Sequence, residues 1–394
     1  EGEGTLLAQK IFNADHAYLQ PHSGADANLV AFWAILAHKI QTPEVEKLGK
    51  KSLDELTPSD YEEVRKLLVN QKMMGMGLGS GGHLTHGYRH NISSKIMQSQ
   101  SYEVDPKTGW IDYGALAAQV KEFRPLILIA GYSSYPRKID FSKMKEIADS
   151  VGAVLMVDMA HFAGLVAGKV FEGVYDPVPY ADIVTTTTHK TLRGPRGGMI
   201  LCKAPFRAMV DKGCPLVLGG PLPHVLAAKS LALKEVDTSA FKDYARQIVL
   251  NAQALAENLQ RAGVRLLTGG TDNHLLVIDT ATSFQLTGRQ AETVLSEAHL
   301  TVNRNSIPHD PNGPWITSGI RVGTPAITTL GMKEKEMAEI AAILVSLLQA
   351  AKPITENGAL SRSKAEADPQ TLQKVRGRIV DLLSHFPLYP ELVI

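Results

Sequence analysis

AVLMVDMAHFAG at residues 153–164 and ADIVTTTTHKTLRGPRGG at residues 181–198 decide how this chain is read. Each opens on an apolar, β-branched run, and each run ends on a charged group: Asp158 in the first, Lys190 in the second. The pattern predicts strands at 153–158 and 182–187 that deliver a carboxylate and an amine to the carboxyl edge of one sheet. Open α/β sheets bind ligands at that edge, in the crevice beyond the strand ends.

Further strands are expected at 126–130 and 198–201, alternating with amphipathic helices. That alternation predicts an α/β fold with a mostly parallel sheet sandwiched by helices. Upstream, residues 5–13 have helical spacing, and QPHSGADAN (20–28) forms a strand-to-helix turn leading into an apolar helix at 29–37. Residues 38–71 turn charged, with Leu53, Leu56, Val64, Leu67 and Leu68 at helical intervals, as in a surface insertion. Glycines return in GMGLGSGGHLTHG (75–87). A helical stretch at 224–262 crosses to a smaller α/β pattern: a strand at 274–279, a helix at 288–298, a loop rich in Asn and Pro, and a helix at 334–351. Residues 357–368 are polar and expected to be a mobile connector before a last helix at 371–384. The chain therefore divides into a large domain, 1–235, and a small C-terminal domain, 236–394. No internal repeat is present.

Composition narrows the function. The 394 residues are 44% hydrophobic, enough for a substantial core, and 41 basic against 40 acidic residues leave a net charge of +1. Such a balance provides no strongly basic field for nucleic acid or an anionic membrane, so small molecules or further copies of the chain are the expected partners. Two cysteines, Cys202 and Cys214, are too few for a disulfide framework and favour a reducing compartment. No apolar run reaches the ~18 residues of a membrane span, and the opening EGEG lacks the features of a signal peptide. A cytoplasmic protein is expected.

Lysine and carboxylate so placed suit pyridoxal 5'-phosphate: the amine forms an imine with the aldehyde, and the acid keeps the ring nitrogen protonated. For Lys190 to act as a nucleophile its pKa must fall, through burial or through Arg193 and Arg196 nearby in sequence. Taken alone, THK is also compatible with an ordinary surface lysine, and Asp158 with a helix cap. His161 is placed to bond a ring hydroxyl or a substrate carboxylate, or simply to pack. Ser23 and Gly24 open a helix whose amides suit a phosphate, although Ser-Gly turns are common. Gly219 and Gly220 permit close approach of an anion, or form a turn before Pro221. Glycines around His83 allow it to lie flat on an aromatic ring. The HxxH spacing of His83 and His86 invites zinc, but no glutamate follows the first histidine, and no metal is expected. Arg321 offers a planar fork for a carboxylate, or a structural salt bridge.

Together these residues resemble the serine hydroxymethyltransferase family. The matching motifs are QPHSG from Gln20, GGHLTHG from Gly81, GYSSY from Gly131, VDMAHFAGLVA from Val157, VTTTTHKTLRGPRGG from Val184, GGPLPHV from Gly219, TGGTDNHL from Thr268, VNRNSIP from Val302 and TSGIRVGTPAITTLG from Thr317. They keep their order over nearly the whole chain. The resemblance implies a fold-type I pyridoxal-phosphate transferase that interconverts serine and glycine with tetrahydrofolate. It implies Lys190 as the Schiff-base lysine, Asp158 on the pyridine nitrogen, His83 stacked on the ring, and Ser133 with His161 near the ring hydroxyl. Ser23, Gly24 and, from a second subunit, Gly219 and Gly220 would hold the phosphate. Arg321 would grip the substrate carboxylate, Thr187 would line the substrate pocket, and His189 would influence specificity. Leu78, Gly82, Leu84 and Asn305 would meet the folate, with Gly313, Pro314 and Trp315 nearby. A homodimer with shared active sites, or a dimer of such dimers, is implied.

The chain departs from the family pattern in three places. The phosphate turn usually reads HSGSQAN, whereas Ala25 and Asp26 stand here. The charged block at 38–71 replaces a shorter loop. The usual N-terminal arm with its YxEGxPGxRYYGG motif does not precede the chain, so a truncated or processed form is expected. That departure leaves open a folate-independent activity of the threonine aldolase or alanine racemase type, or a silent subunit that binds cofactor without turnover.

Overall fold

The computed structural model describes residues 1–356 and 358–389. A seven-stranded sheet is built from β1 (His16–Tyr18), β2 (Lys72–Met76), β3 (Gln98–Tyr102), β4 (Ile127–Gly131), β5 (Val154–Asp158), β6 (Ile183–Thr187) and β7 (Gly198–Cys202). Its order is β1-β7-β6-β5-β4-β2-β3, parallel from β3 to β6. Strand β7 runs antiparallel to both its neighbours. Every residue of β4, β5, β6 and β7 is buried, as expected for strands covered by helices on both faces. The four strands expected from sequence lie within a residue of their predicted bounds. Strands β1, β2 and β3 were missed: β1 has three residues, β2 holds a glycine, and β3 is the polar edge strand QSQSY.

Helix Gly24–Leu36 starts where Ser23 caps it, its Oγ accepting from the Asp26 N–H at 3.2 Å. It runs on through a π-helical turn, Ala37–Gln41, into the charged block, whose helix Pro58–Val69 buries only Val64. The stretch at 224–262 is two helices, Pro223–Val236 and Ser239–Arg261, separated at Asp237-Thr238 because Thr238 begins a new helix by accepting from Phe241 N–H. In the second, Phe241, Ala245, Ile248 and Val249 pack with the seven-stranded sheet. Ala252, Leu255, Ala256 and Leu259 join a different apolar cluster with helix Glu334–Gln349. The core thus changes partner along one amphipathic helix.

That second cluster supports a three-stranded antiparallel sheet of β8 (Leu275–Asp279), β9 (Asn303–Asn305) and β10 (Gly319–Gly323), in order β8-β10-β9. One expectation fails here. Residues 359–367 are no loose connector but a strand, β12 (Ala359–Ala367), paired antiparallel with β11 (Ala351–Glu356). Its alternating pattern buries Ala365 and Ala367 while Lys364 and Glu366 face water, and a polar outer face made it look like a linker. Asn357 lies outside the described residues. Helix Pro369–Ser384 follows, and no described helix is long and apolar enough to cross a membrane.

Candidate active site

Parallel pairing of β5 with β6 aligns Asp158 with Thr185, so both strands end on the same edge. Asp158 is the last residue of β5 and is buried. Its Oδ2 accepts from Asn28 Nδ2 at 2.9 Å and from His86 Nε2 at 3.1 Å, and its Oδ1 accepts from the Ala160 N–H at 3.0 Å. Burial alone would raise its pKa, but His86, His83 and Asn28 outweigh burial and hold the carboxyl well below the usual range. Asp158 caps no helix: the next one, Ala163–Ala167, starts after Phe162 without a side-chain cap.

Asn28 and His86 were not foreseen as site residues. Asn28 sits on the first turns of helix Gly24–Leu36; its Nδ2 also donates to Thr85 Oγ1 at 2.7 Å, and its Oδ1 accepts from Thr185 Oγ1 at 2.6 Å. His86 takes the His83 N–H on Nδ1, which leaves Nε2 as the donor to Asp158. Thr85, its Oγ1 occupied by Asn28, in turn bonds His83 Nδ1 at 2.8 Å, so the imidazole Nε2 of His83 carries the hydrogen. Burial first, then His86 and Lys190, pull His83 down to about 4 against the opposing pull of Asp158, and its ring is neutral at pH 7. His83, His86 and Asp158 also converge closely enough to present three potential metal-ligand atoms.

Lys190 follows β6 by three residues. Its ammonium makes no hydrogen bond or ion pair among the described residues, and burial lowers its pKa, helped by Arg321 and Arg196 and opposed by Asp158. Arg193, expected to contribute, instead lays its guanidinium over the Tyr244 ring at 4.3 Å. Neighbouring His189 has its pKa lowered mainly by burial, and its Nδ1 accepts from the Gly197 N–H at 3.3 Å. Thr187, buried at the end of β6, donates to the Ala160 carbonyl at 3.2 Å.

Arg321 reaches the site from β10. It donates to the Ser133 carbonyl at 2.7 Å and to Asn303 Oδ1 at 3.1 Å, and it has no carboxylate partner among the described residues. The structural salt bridge is therefore not found, and the guanidinium is left with unbalanced charge beside Lys190. His161 stacks on His274, with ring centroids 5.6 Å apart and Nδ1 to Nε2 at 3.3 Å. His274, unmarked in the sequence reading, is buried and its Nδ1 has no partner. Burial pulls His274 down to about 3 and His161 well below the ordinary histidine value. Lys190, His161, His189, His274 and Arg321 share a cleft of about 790 Å³.

Ser23 keeps its hydroxyl hydrogen free to donate while Oγ serves as the cap. Gly24 faces Thr187 so closely that a Cβ would lie 2.6 Å from the Thr187 Cγ2. Gly219 has φ +86°, and the Gly220 carbonyl lies 3.1 Å from His22 Nε2, next to that turn in the same chain. Leu78 and Leu84 begin short 3₁₀ turns, and Gly82 is packed on Met76, where a Cβ would sit 1.9 Å from its carbonyl oxygen. Asn305, at the end of β9, borders a crevice with residues 79–81. Gly313, Pro314 and Trp315 form the start of a short helix, Gly313–Ile316, and line neither cavity; Trp315 is 72% exposed.

An unpartnered amine, a solvent-shielded ionised carboxylate and a glycine-tight turn meeting at the carboxyl edge of this mixed sheet define a fold-type I pyridoxal-phosphate enzyme. The donor set fits that cofactor: Asp158 stays ionised to bond a protonated ring nitrogen, and His83 presents a neutral ring. The serine hydroxymethyltransferase family model matches residues 61–344. Proteins named serine hydroxymethyltransferase from Treponema pallidum and Cutibacterium acnes are 57% and 54% identical to the chain. The alignments cover 100% and 97% of this chain, and 68% and 78% of those proteins. One from Salinispora tropica is 55% identical over 98% of this chain and 80% of its own length. The chain belongs to the serine hydroxymethyltransferase family.

Proposed function

We propose that the chain catalyses the reversible conversion of serine and tetrahydrofolate to glycine and 5,10-methylenetetrahydrofolate. The observation that carries this is the pairing of Lys190, an amine with no partner among the described residues, with Asp158, a carboxylate held ionised in a buried network. When bound, pyridoxal phosphate supplies an aldehyde that condenses with amines and a protonated ring that accepts the electron pair released at Cα.

The chain's own residues do the rest. Burial strips water from Lys190 and favours its neutral, nucleophilic form. Asp158, braced by Asn28 and His86, holds a proton on the ring nitrogen, and His83 covers the ring face. Ser133 and His161 would bond the ring hydroxyl. Ser23, Gly24 and the helix amides behind them take the phosphate, together with Gly219 and Gly220 of a second copy. Arg321 binds the amino-acid carboxylate with its fork. Thr187 lines the substrate pocket and His189 tunes specificity. Leu78, Gly82, Leu84 and Asn305 would meet the folate, with Gly313, Pro314 and Trp315 in the same region.

A homodimer is part of this reading, and the exposed Leu216 and Leu222 flank Gly219 and Gly220 in the chain. A large and a small unit, divided near 235, are part of this reading; the change of core along helix Ser239–Arg261 supports two units, although it falls between Val249 and Ala252. A cytoplasmic setting accords with two free, buried cysteines. The test is serine turnover by cofactor-loaded protein with and without tetrahydrofolate. Glycine formation that requires folate supports the assignment; equal turnover without it indicates a folate-independent lyase or racemase, and none indicates a silent subunit.

A further inference from the structure

Lys229, on helix Pro223–Val236, is 1% exposed and has no carboxylate partner among the described residues. Its three ammonium hydrogens go to backbone carbonyls: Leu19 at 2.6 Å, Pro21 at 2.9 Å and Gly198 at 2.8 Å. Two of these carbonyls lie on the segment entering the Ser23 turn. The third begins β7, where Gly198 pairs with Thr187. The fit is close, since a Cβ on Gly197 would lie 2.3 Å from Lys229 Cε. Gly198 is equally constrained by the turn, for a Cβ there would sit 2.2 Å from the Ser23 carbonyl oxygen. Gly198 N–H donates to Pro21 O at 2.9 Å and completes the junction.

A buried cation with all its hydrogen bonds made but no counter-charge is an expensive way to hold two loops, because a neutral side chain avoids the desolvation. Burial pulls Lys229 down to about 8, the mark of that cost. A nearby anion relieves it. We propose that Lys229 is a positioning residue for the cofactor phosphate: it clamps residues 19–21 to the start of β7, and its unbalanced charge is met by the phosphate dianion at the Ser23 turn. This rests on the reading of Ser23 and Gly24 as the phosphate turn.

The test compares affinities of the apoprotein for pyridoxal phosphate and for pyridoxal, which lacks the phosphate, by tryptophan fluorescence. Lys229→Met is expected to weaken pyridoxal phosphate by about tenfold, the scale of losing a through-space attraction between a buried cation and an anion, while pyridoxal changes little. A merely structural lysine weakens both alike. Lys229→Gln, which keeps donors for the carbonyls but loses the charge, gives the same comparison should the methionine variant not fold. An unchanged ratio of the two affinities in the folded variant overturns the proposal. Ser23→Ala serves as the control: a ratio that falls there but not in the Lys229 variants rejects only the role of Lys229, whereas a ratio unmoved in all of them rejects the phosphate turn itself.

Discussion

His86 Nε2 donates to Asp158 Oδ2 at 3.1 Å in a place where neither side chain has appreciable contact with water. With Asn28 on the same oxygen, that bond gives the carboxylate its low pKa and leaves Oδ1 with a single backbone donor. His86→Leu removes one donor to the carboxylate and leaves the His83 N–H without its acceptor. Loss of about 1–3 kcal/mol of apoprotein stability is expected in chemical denaturation, together with a fall in kcat. Asn28→Ala removes the other donor to the same oxygen, so the double variant leaves Oδ2 without a donor and should lose more than the sum of the two.

Lys190→Ala should abolish the covalent attachment. Borohydride trapping of cofactor-loaded wild type should leave a pyridoxyl mass on the peptide bearing residue 190 and none on the variant, with serine turnover down by about 10³-fold or more. Undiminished turnover in the variant refutes the assignment.

Arg321→Lys keeps the charge and loses the fork. Because the guanidinium bonds Ser133 and Asn303 through separate nitrogens, a lysine cannot hold both and still meet a carboxylate squarely. KM for serine should rise by about tenfold to a hundredfold with little change in cofactor affinity, read from initial rates and from cofactor titration.

Gly24→Ala tests the closeness of the turn to Thr187. An added Cβ would sit 2.6 Å from Thr187 Cγ2, so overpacking of about 1–3 kcal/mol and weaker cofactor binding are expected. Thr187→Ser deletes that methyl and should restore much of the loss in the double variant, as followed by thermal unfolding.

Stability of the apoprotein should decline steeply on acidification. His83, held near 4, and His274, near 3, stay neutral when folded, and His161 does likewise. The unfolded chain protonates them near pH 6.5 and so binds more protons below that value. Stability is therefore fully present above about pH 6.5 and falls toward pH 4, by about 1.4 kcal/mol per pH unit for each histidine. His274→Asn should flatten the slope between pH 6.5 and 4 in denaturant titrations; an unchanged slope contradicts the assignment of His274 as buried and neutral.

Much of this molecule was legible without coordinates where chemistry is local. Strands β4, β5 and β7 announce themselves because burial on both faces demands apolar runs, and β6 by its β-branched run of Ile183, Val184 and threonines; Asp158 and Lys190 stand out because a charge beside such a run is costly without a purpose. Short or polar elements carry no such mark: β1 and β3 are held by their neighbours, and β12 alternates only weakly enough to pass for a linker.

The second coordination of the site was hidden for a different reason. Asn28, His86, His274 and Lys229 are ordinary residues on ordinary helices and turns until the chain folds back and sets them against partners between 31 and 210 positions away. Local order in the chain was enough to specify which groups can react and which runs must be buried. Which neighbours tune those groups depends on long-range packing, since burial and hydrogen bonding act through space and have no counterpart in residue spacing.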